Sequence, residues 1–309
     1  MELLNSCKRT NTLLSQIRKH QTYFPIRKTP KKSKQIYHPE NRPQFKEKHL
    51  NVLYFNARSI KNKINYLHAY LSQDTHFDFD LVFITETWLK PQFIDSLICP
   101  TGYSVIRADR KGTKTGGGVL LLYKDYLSVV EVKSSHDPNI FEALAVDIIP
   151  NSCRSTRYRF CCTYLPPSES KTITGIQSCC TYLNTLIYNG PLFILGDFNL
   201  PDVNWHTMCS NNKADQYFCD FCTETALVQQ ITEPTYHGTR DSLLDILLTN
   251  QHGNNSLLSS TTAQPICDKC DHDALVVKIR TKSSKNYDST KPNLCFQKAD
   301  YNIISSHLR

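Results

Sequence analysis

The stretch that most constrains the fold is Pro191–Pro201, PLFILGDFNLP. Leu192, Phe193, Ile194 and Leu195 form a short unbroken apolar run, the pattern of a strand buried on both faces. Gly196 lets the backbone turn, and Asp197 and Asn199 follow at once. A carboxylate at the end of a buried strand can hold a metal or take a proton from water. An amide two residues on can donate to a phosphate oxygen. Both residue types are also ordinary in turns, so the weight of this stretch depends on how many other strands end the same way.

Several do. Leu50–Phe55 is a strand candidate ending at Asn56, and Ile64, Leu67, Tyr70 and Leu71 give Lys63–Leu71 a helical spacing. Phe79–Ile84 is a second buried strand that ends at Glu86. Tyr103–Ala108 and Gly118–Tyr123 read as strands around KGTKTGGG, which has neither a P-loop's lysine and hydroxyl placement nor a dinucleotide fingerprint. That connection is read as a turn, close to a substrate backbone if it is functional. Phe141–Ile149 and Tyr158–Tyr164 are further strands, the second ending in Tyr164 before Pro166 and Pro167. Ile176, Cys180, Leu183 and Ile187 form a helical stripe, and Tyr217–Ile231 is a second helix with Phe218, Phe221, Cys222 and Leu227 inward. Leu243–Leu248 is a strand carrying Asp245. Cys267–Asp271 is a loop, and Ala274–Ile279 is the last strand with His272 at its mouth. Continuous and alternating strands mixed with helices favour an α/β domain of two packed sheets flanked by helices over a strictly alternating fold.

The charge is unevenly placed. The formal net charge is +8, yet residues 1–48 alone hold 12 Lys and Arg against Glu2, Glu40 and Glu47. The remainder is close to neutral, with 24 basic and 25 acidic residues. Residues 1–48 are proline-punctuated and read as a solvated disordered lead-in. Their run RKTPKKSK (Arg27–Lys34) suits nucleic-acid binding or nuclear import. No secretory signal is legible near Met1, and no run approaches the roughly 18 apolar residues of a membrane span. Thirteen cysteines with no such signal read as reduced thiols. The expectation is an intracellular protein, nuclear or cytoplasmic, not secreted, without a membrane partner.

The polar residues at the strand ends are Asn56, Glu86, Tyr164, Asp197, Asn199, Asp245, Asp271 and His272. Singly, each is ordinary for a turn or cap. Together they supply what phosphodiester hydrolysis needs: carboxylates for a hard cation such as Mg²⁺, a group to orient water, and donors for the charge that develops on phosphorus.

In order along the chain, FNARSI, TETWL, RADRKGTKTGGGV, TYLPP, GDFNLPDVNW, SLLDILLTN and CDHDALVV resemble the endonuclease/exonuclease/phosphatase superfamily. More narrowly, they resemble the apurinic-type endonuclease domain of jockey-like (LINE-type) non-LTR retrotransposons. The resemblance covers about Leu50 to Arg280. It implies a four-layered α/β sandwich of two packed mixed sheets flanked by helices, which nicks DNA and leaves a 3′-hydroxyl to prime reverse transcription. Glu86 then becomes the principal Mg²⁺ ligand (Mn²⁺ as substitute), with Asn56 beside it and Asp271 as a further acidic neighbour. Asp197 orients or deprotonates water, Asn199 holds that water or a phosphate oxygen, and Tyr164 lies against the scissile phosphate. His272 binds the non-bridging oxygens while Asp245 bonds its other ring nitrogen, which favours the imidazolium.

The domain expected from this is 49–282, after a basic segment 1–48 and before a linker 283–309. Phe296–Leu308 resembles the stretch joining such an endonuclease to a reverse transcriptase. No polymerase follows, so the expectation is a truncated element reading frame. Its partners are DNA and, through the basic segment, element RNA, and the protein is expected to be a monomer. The family usually has Ser where this chain has Cys270, which replaces a hydroxyl by a weaker donor. Three other readings stand beside this one: a phosphomonoesterase or a DNA-repair nuclease of the same superfamily, a decayed fragment that only binds nucleic acid, and a zinc site from Cys219, Cys222, Cys267 and Cys270.

Overall fold

A computed structural model describes residues 49–281, apart from 73–77, 113–114, 133–135, 151–155, 239 and 268–269. The basic segment 1–48 and the linker-like 283–309 lie outside the described residues.

Fourteen strands are described. In chain order they are β1 (His49–Asn56), β2 (Leu81–Thr85), β3 (Tyr103–Ala108), β4 (Val119–Lys124), β5 (Ser128–Glu131), β6 (Glu142–Ile149) and β7 (Tyr158–Tyr164). Then follow β8 (Leu192–Asp197), β9 (Val228–Gln229), β10 (Tyr236–His237), β11 (Asp241–Ser242), β12 (Asp245–Thr249), β13 (Leu257–Ala263) and β14 (Ala274–Arg280). One six-stranded sheet has the order β13-β14-β1-β2-β4-β3, the other β5-β6-β7-β8-β12-β9, and β10 and β11 form a separate hairpin. Both sheets are mixed: β1 runs parallel to β2 and β7 to β8, and the remaining pairs are antiparallel.

Helices are α1 (Ile64–Tyr70), α2 (Pro167–Ser170), α3 (Ile173–Leu186), α4 (Lys213–Glu224) and α5 (Gln251–Ser256). Among the described residues no helix is long and apolar enough to cross a membrane. Thr172 caps α3 by accepting from the Gly175 N–H, and Asn212 caps α4 by accepting from Ala214 N–H. Three apolar layers hold the elements together. Phe193 and Leu195 of β8 pack with Tyr54, Phe83 and Phe160 between the sheets. Leu192 and Ile194 of the same strand face α3 and α4 on the other side. Val82, Ile84 and Phe79 pack with Leu67 and Leu71 at α1 beneath the first sheet. This is the four-layered sandwich, and the unbroken apolar run of β8 follows from its being covered on both faces.

Sequence and structure differ at several elements. The helix expected over Tyr217–Ile231 runs from Lys213 to Glu224 instead. Asn212 starts it, and Ala226 at φ 53° turns the chain so that Leu227 enters the core from a loop and Val228–Gln229 pairs with β12. Ile187 ends the α3 stripe as its extended C-cap. The strand expected at Leu243 begins at Asp245. β13, LLSSTTA, was hidden by its Ser and Thr; it lies at a sheet edge, where polar side chains are tolerated.

Strand register does the work of assembling the site. Glu142 lies opposite Tyr164, Tyr164 opposite Asp197, and Asp197 opposite Asp245, one polar row across four strands. Two residues deeper, the row is Leu144, Cys162, Leu195 and Leu247, all in the core between the sheets. Gly196 separates these rows in β8. Its φ is +152°, and a Cβ there would come within 1.9 Å of the Thr163 carbonyl oxygen on β7. Gly196→Ala is therefore expected to lower stability by about 3 kcal/mol or more, measured by chemical denaturation; a loss below about 0.5 kcal/mol contradicts the packing described.

Candidate active site

The polar row ends where both sheets open. Asp197 is 1% exposed; its Oδ2 accepts from Asn56 Nδ2 at 2.9 Å and its Oδ1 from the Asn199 N–H at 3.1 Å. Asn56 Nδ2 also donates to Glu86 Oε1 at 3.1 Å, and Asn56 Oδ1 accepts from the Arg58 N–H at 3.0 Å. Asn56, at the end of β1, thus bridges a carboxylate from each sheet. Burial, and then the charges of Asp245 and Glu86, push the Asp197 carboxyl well up, against the opposing pull of His272. Asp197 is the group here best placed to take a proton.

Glu86 follows β2 with φ 50°, a conformation rare for a non-glycine residue. Its Oε2 accepts from Trp88 Nε1 at 3.0 Å, and its carbonyl accepts from the Ser59 N–H at 2.8 Å. Arg58, Ser59, Trp88 and Asn199 also have positive φ. Such residues store about 1–3 kcal/mol of strain each and concentrate at functional sites. Burial, then Glu86 and Asp197, push the Tyr164 phenol well up, so it stays a neutral donor. The Arg110 guanidinium lies 5.5 Å from the Tyr164 ring centroid and pairs with Glu142 through both nitrogen–oxygen contacts. The glycine-rich turn closes on this group: Trp88 N–H donates to the Gly117 carbonyl at 2.9 Å.

Asp245 is fully buried, and both its oxygens are engaged. Oδ2 meets His272 Nδ1 at 2.7 Å, and Oδ1 accepts from the Tyr54 hydroxyl at 2.6 Å. Tyr54 in turn meets Thr85 Oγ1 at 2.9 Å. Thr235 Oγ1 accepts from the Asp245 N–H, and Tyr236 packs its ring 4.9 Å from that of His272. Burial alone lowers the His272 pKa, but the charge and hydrogen bond of Asp245, with Asp197 and Asp271 beyond, outweigh it and bring it up to about 9. The Asp245 partner thus favours the imidazolium form of His272 through Nδ1.

The structure thus brings Tyr164, Asp197, Asp245, His272, Asn56 and Glu86 together. Asn199 reaches the same corner but points its Nδ2 at the Leu165 carbonyl, 3.0 Å away, and serves as a brace for the loop after β7. Asp271 faces the rim, where its Oδ2 pairs with Arg58 at 2.5 Å. Tyr54, Trp88, Arg110, Glu142 and Thr235 escape sequence reasoning: Tyr54 sits inside a buried strand, where its hydroxyl is indistinguishable from core filling.

Ligand atoms of Asp197, Asp245 and His272 lie within 4.8 Å of one another, which is close enough to hold a metal. Asp245, however, is fully buried and bonded to His272 Nδ1, whereas Glu86 is only half-buried, so the trio is better suited to moving protons. The hard-oxygen set Glu86, Asp271 and Asn56 fits Mg²⁺ or Mn²⁺ better. Asp271 Oδ1 is buried without a hydrogen-bond partner, an orphaned oxygen of the kind a cation satisfies. Cys270 supplies no bond to the site; its sulfur meets that of Cys267 at 3.7 Å. The four cysteines weighed for zinc do not converge among the described residues: Cys222 is in the α3–α4 layer, whereas Cys270 packs beneath the first sheet.

The raised His272 pKa has a definite sign in stability. A histidine whose folded pKa exceeds its ordinary 6.5 stabilises fully below that value and loses the contribution as pH rises through about 9. Asp197, also raised, works in the same direction. In EDTA, the melting temperature is expected to fall between about pH 6.5 and 9, and to fall less in Asp245→Asn, as followed by circular dichroism.

Residues 158–275 match the endonuclease–reverse transcriptase family. Comparison with curated protein sequences finds no match. Among solved structures, the endonuclease domain of TRAS1, a telomere-specific non-LTR retrotransposon, is 16% identical with a TM-score of 0.59, over 75% of this chain and 98% of that one. The AP endonuclease LMAP from Leishmania major is 12% identical with a TM-score of 0.59, over 76% and 89%. An AP endonuclease from Archaeoglobus fulgidus is 15% identical with a TM-score of 0.55, over 74% and 98%. The chain shares its fold with these endonucleases, and over residues 158–275 it resembles the endonuclease–reverse transcriptase family.

Proposed function

We propose that the protein is a metal-dependent endonuclease that hydrolyses DNA phosphodiester bonds, the target-site nicking activity of a non-LTR element. One observation carries the reading: a carboxylate primed to accept a proton, Asp197, and a histidine held cationic, His272, meet within 4.8 Å at the open end of the two sheets. In-line attack on a phosphodiester needs both, one to activate water and one to receive charge from the phosphate oxygens.

The residues divide the work by their bonds. Asn56 and the Asn199 N–H fix the Asp197 carboxylate, so its proton-accepting oxygen is oriented before substrate arrives. Asp245 orients His272 through Nδ1 and leaves Nε2 toward the phosphate. The neutral Tyr164 phenol donates to a non-bridging oxygen. Glu86, with Asp271 and Asn56, would hold Mg²⁺ or Mn²⁺, which supplies Lewis-acid neutralisation of the phosphate. The near-neutral folded domain leaves long-range attraction for nucleic acid, DNA or element RNA, to the basic segment 1–48. The match to the endonuclease–reverse transcriptase family over 158–275 supports the retrotransposon context rather than a repair or monoesterase role.

Supercoiled plasmid with Mg²⁺ is expected to relax to open circles, and EDTA to abolish this. Asp197→Asn and His272→Ala are each expected to slow nicking by about 10³-fold. Nicking that survives both substitutions contradicts the site; release of phosphate from small monoesters without nicking contradicts the substrate. Arg58, whose guanidinium neutralises Asp271, competes with a cation there. Arg58→Ala is expected to tighten Mg²⁺ binding several-fold without DNA, by calorimetry, and to reduce the salt slope of DNA binding by about one.

A further inference from the structure

Cys267 and Cys270 lie next to the site and take no part in the hydrolysis proposed above. The Cys270 N–H donates to the Cys267 carbonyl at 3.0 Å. The two sulfurs lie 3.7 Å apart, and either thiol can donate to the other. Both thiols are reduced in this structure. The sulfur separation exceeds a disulfide bond by less than ~2 Å, a gap that side-chain rotation and a small backbone shift at Cys270 can close. Cys270 is half-buried, and Asp271 and His272 follow it directly. Burial pushes the Cys270 thiol up to about 11 against the pull of the Lys63 ammonium, which donates to the carbonyls of Ala57 and Arg58, so exchange is faster at alkaline pH. The pair therefore abuts both loops that form the mouth of the site, Asn56–Arg58 and Asp271–His272.

We propose that Cys267 and Cys270 are a reversible disulfide-forming site, oxidised by low-molecular-weight disulfides, and that closing the bond lowers activity at the adjoining centre. The chemistry balances as thiol–disulfide exchange. The thiolate of one cysteine attacks a sulfur of the oxidant and releases one thiol, leaving a mixed disulfide. The second cysteine, as thiolate, attacks the protein sulfur and expels the second thiol. Two electrons and two protons pass from the cysteine pair to the oxidant. Drawing Cys270 toward Cys267 shifts the backbone that positions His272 against Asp245. That contact is 2.7 Å long and buried, so it tolerates little displacement.

The effect on activity rests on the nuclease reading above, whereas formation of the bond does not. The full chain is incubated with oxidised glutathione, remaining thiols are blocked with maleimide, and peptides are mapped by mass spectrometry. A Cys267–Cys270 crosslink is expected, reversed by dithiothreitol, ahead of any crosslink among the buried core thiols. Plasmid nicking by the same samples is expected to fall at least tenfold on oxidation and to return on reduction. Cys267→Ser is expected to nick like the parent under reducing conditions and to keep that rate in oxidant. Absence of the crosslink overturns the proposal, as does a crosslinked protein that nicks at the reduced rate. If the reduced parent fails to nick, the nuclease reading falls while the crosslink still decides the disulfide site.

Discussion

The site depends on one buried carboxylate, Asp245. It belongs to β12 of the second sheet, yet both its partners come from the first: Tyr54 from β1, and His272 from the segment entering β14. Its bonds therefore pin the two sheets together at their open end. A buried carboxylate is tolerated only when its oxygens are satisfied and its charge is compensated. Asp245 meets both conditions through Tyr54 and His272, whose imidazolium form it favours. The same arrangement that makes the acid tolerable produces the cation that a phosphate requires, so packing and chemistry share one interaction.

Everything else around Asp245 is a matter of register. Because side chains alternate in a strand, residues opposite one another share a face. Tyr164, Asp197 and Asp245 are opposite one another, with an apolar row two residues deeper. A slip of one residue in β8 would turn Asp197 toward the helices and Phe198 toward the site. Gly196 guards against it by the closeness of β7. From the other sheet, Asn56 crosses the gap and ties Asp197 to Glu86, while the left-handed backbone at Arg58, Ser59, Glu86 and Trp88 aims the loops inward.

The fold was largely legible because the strands are covered on both faces and announce themselves as unbroken apolar runs. Tyr103–Ala108 and Tyr158–Tyr164 have the bounds expected. What failed was boundary and edge: β13 is polar because it is an edge, and the helix at Asn212 starts on a cap rather than on the apolar pattern. The candidate site positions stood out as polar residues ending apolar runs. Their supports did not. The strand pattern hides the Tyr54 hydroxyl, and only tertiary structure shows that polar atoms of Tyr54, Trp88 and Arg110 meet Asp245, Glu86 and Glu142. Asn199 shows the converse: its place in GDFN suggests a hand on substrate, but its side-chain amide braces a loop.

The measurement that bears most directly on this account is the titration of His272 by NMR in the metal-free protein, following its ring proton with pH. The buried Asp245 partner predicts a midpoint near 9. A midpoint at or below the ordinary 6.5 would mean that the imidazole is neutral when substrate binds, and that the pairing on which both the packing and the chemistry depend is absent.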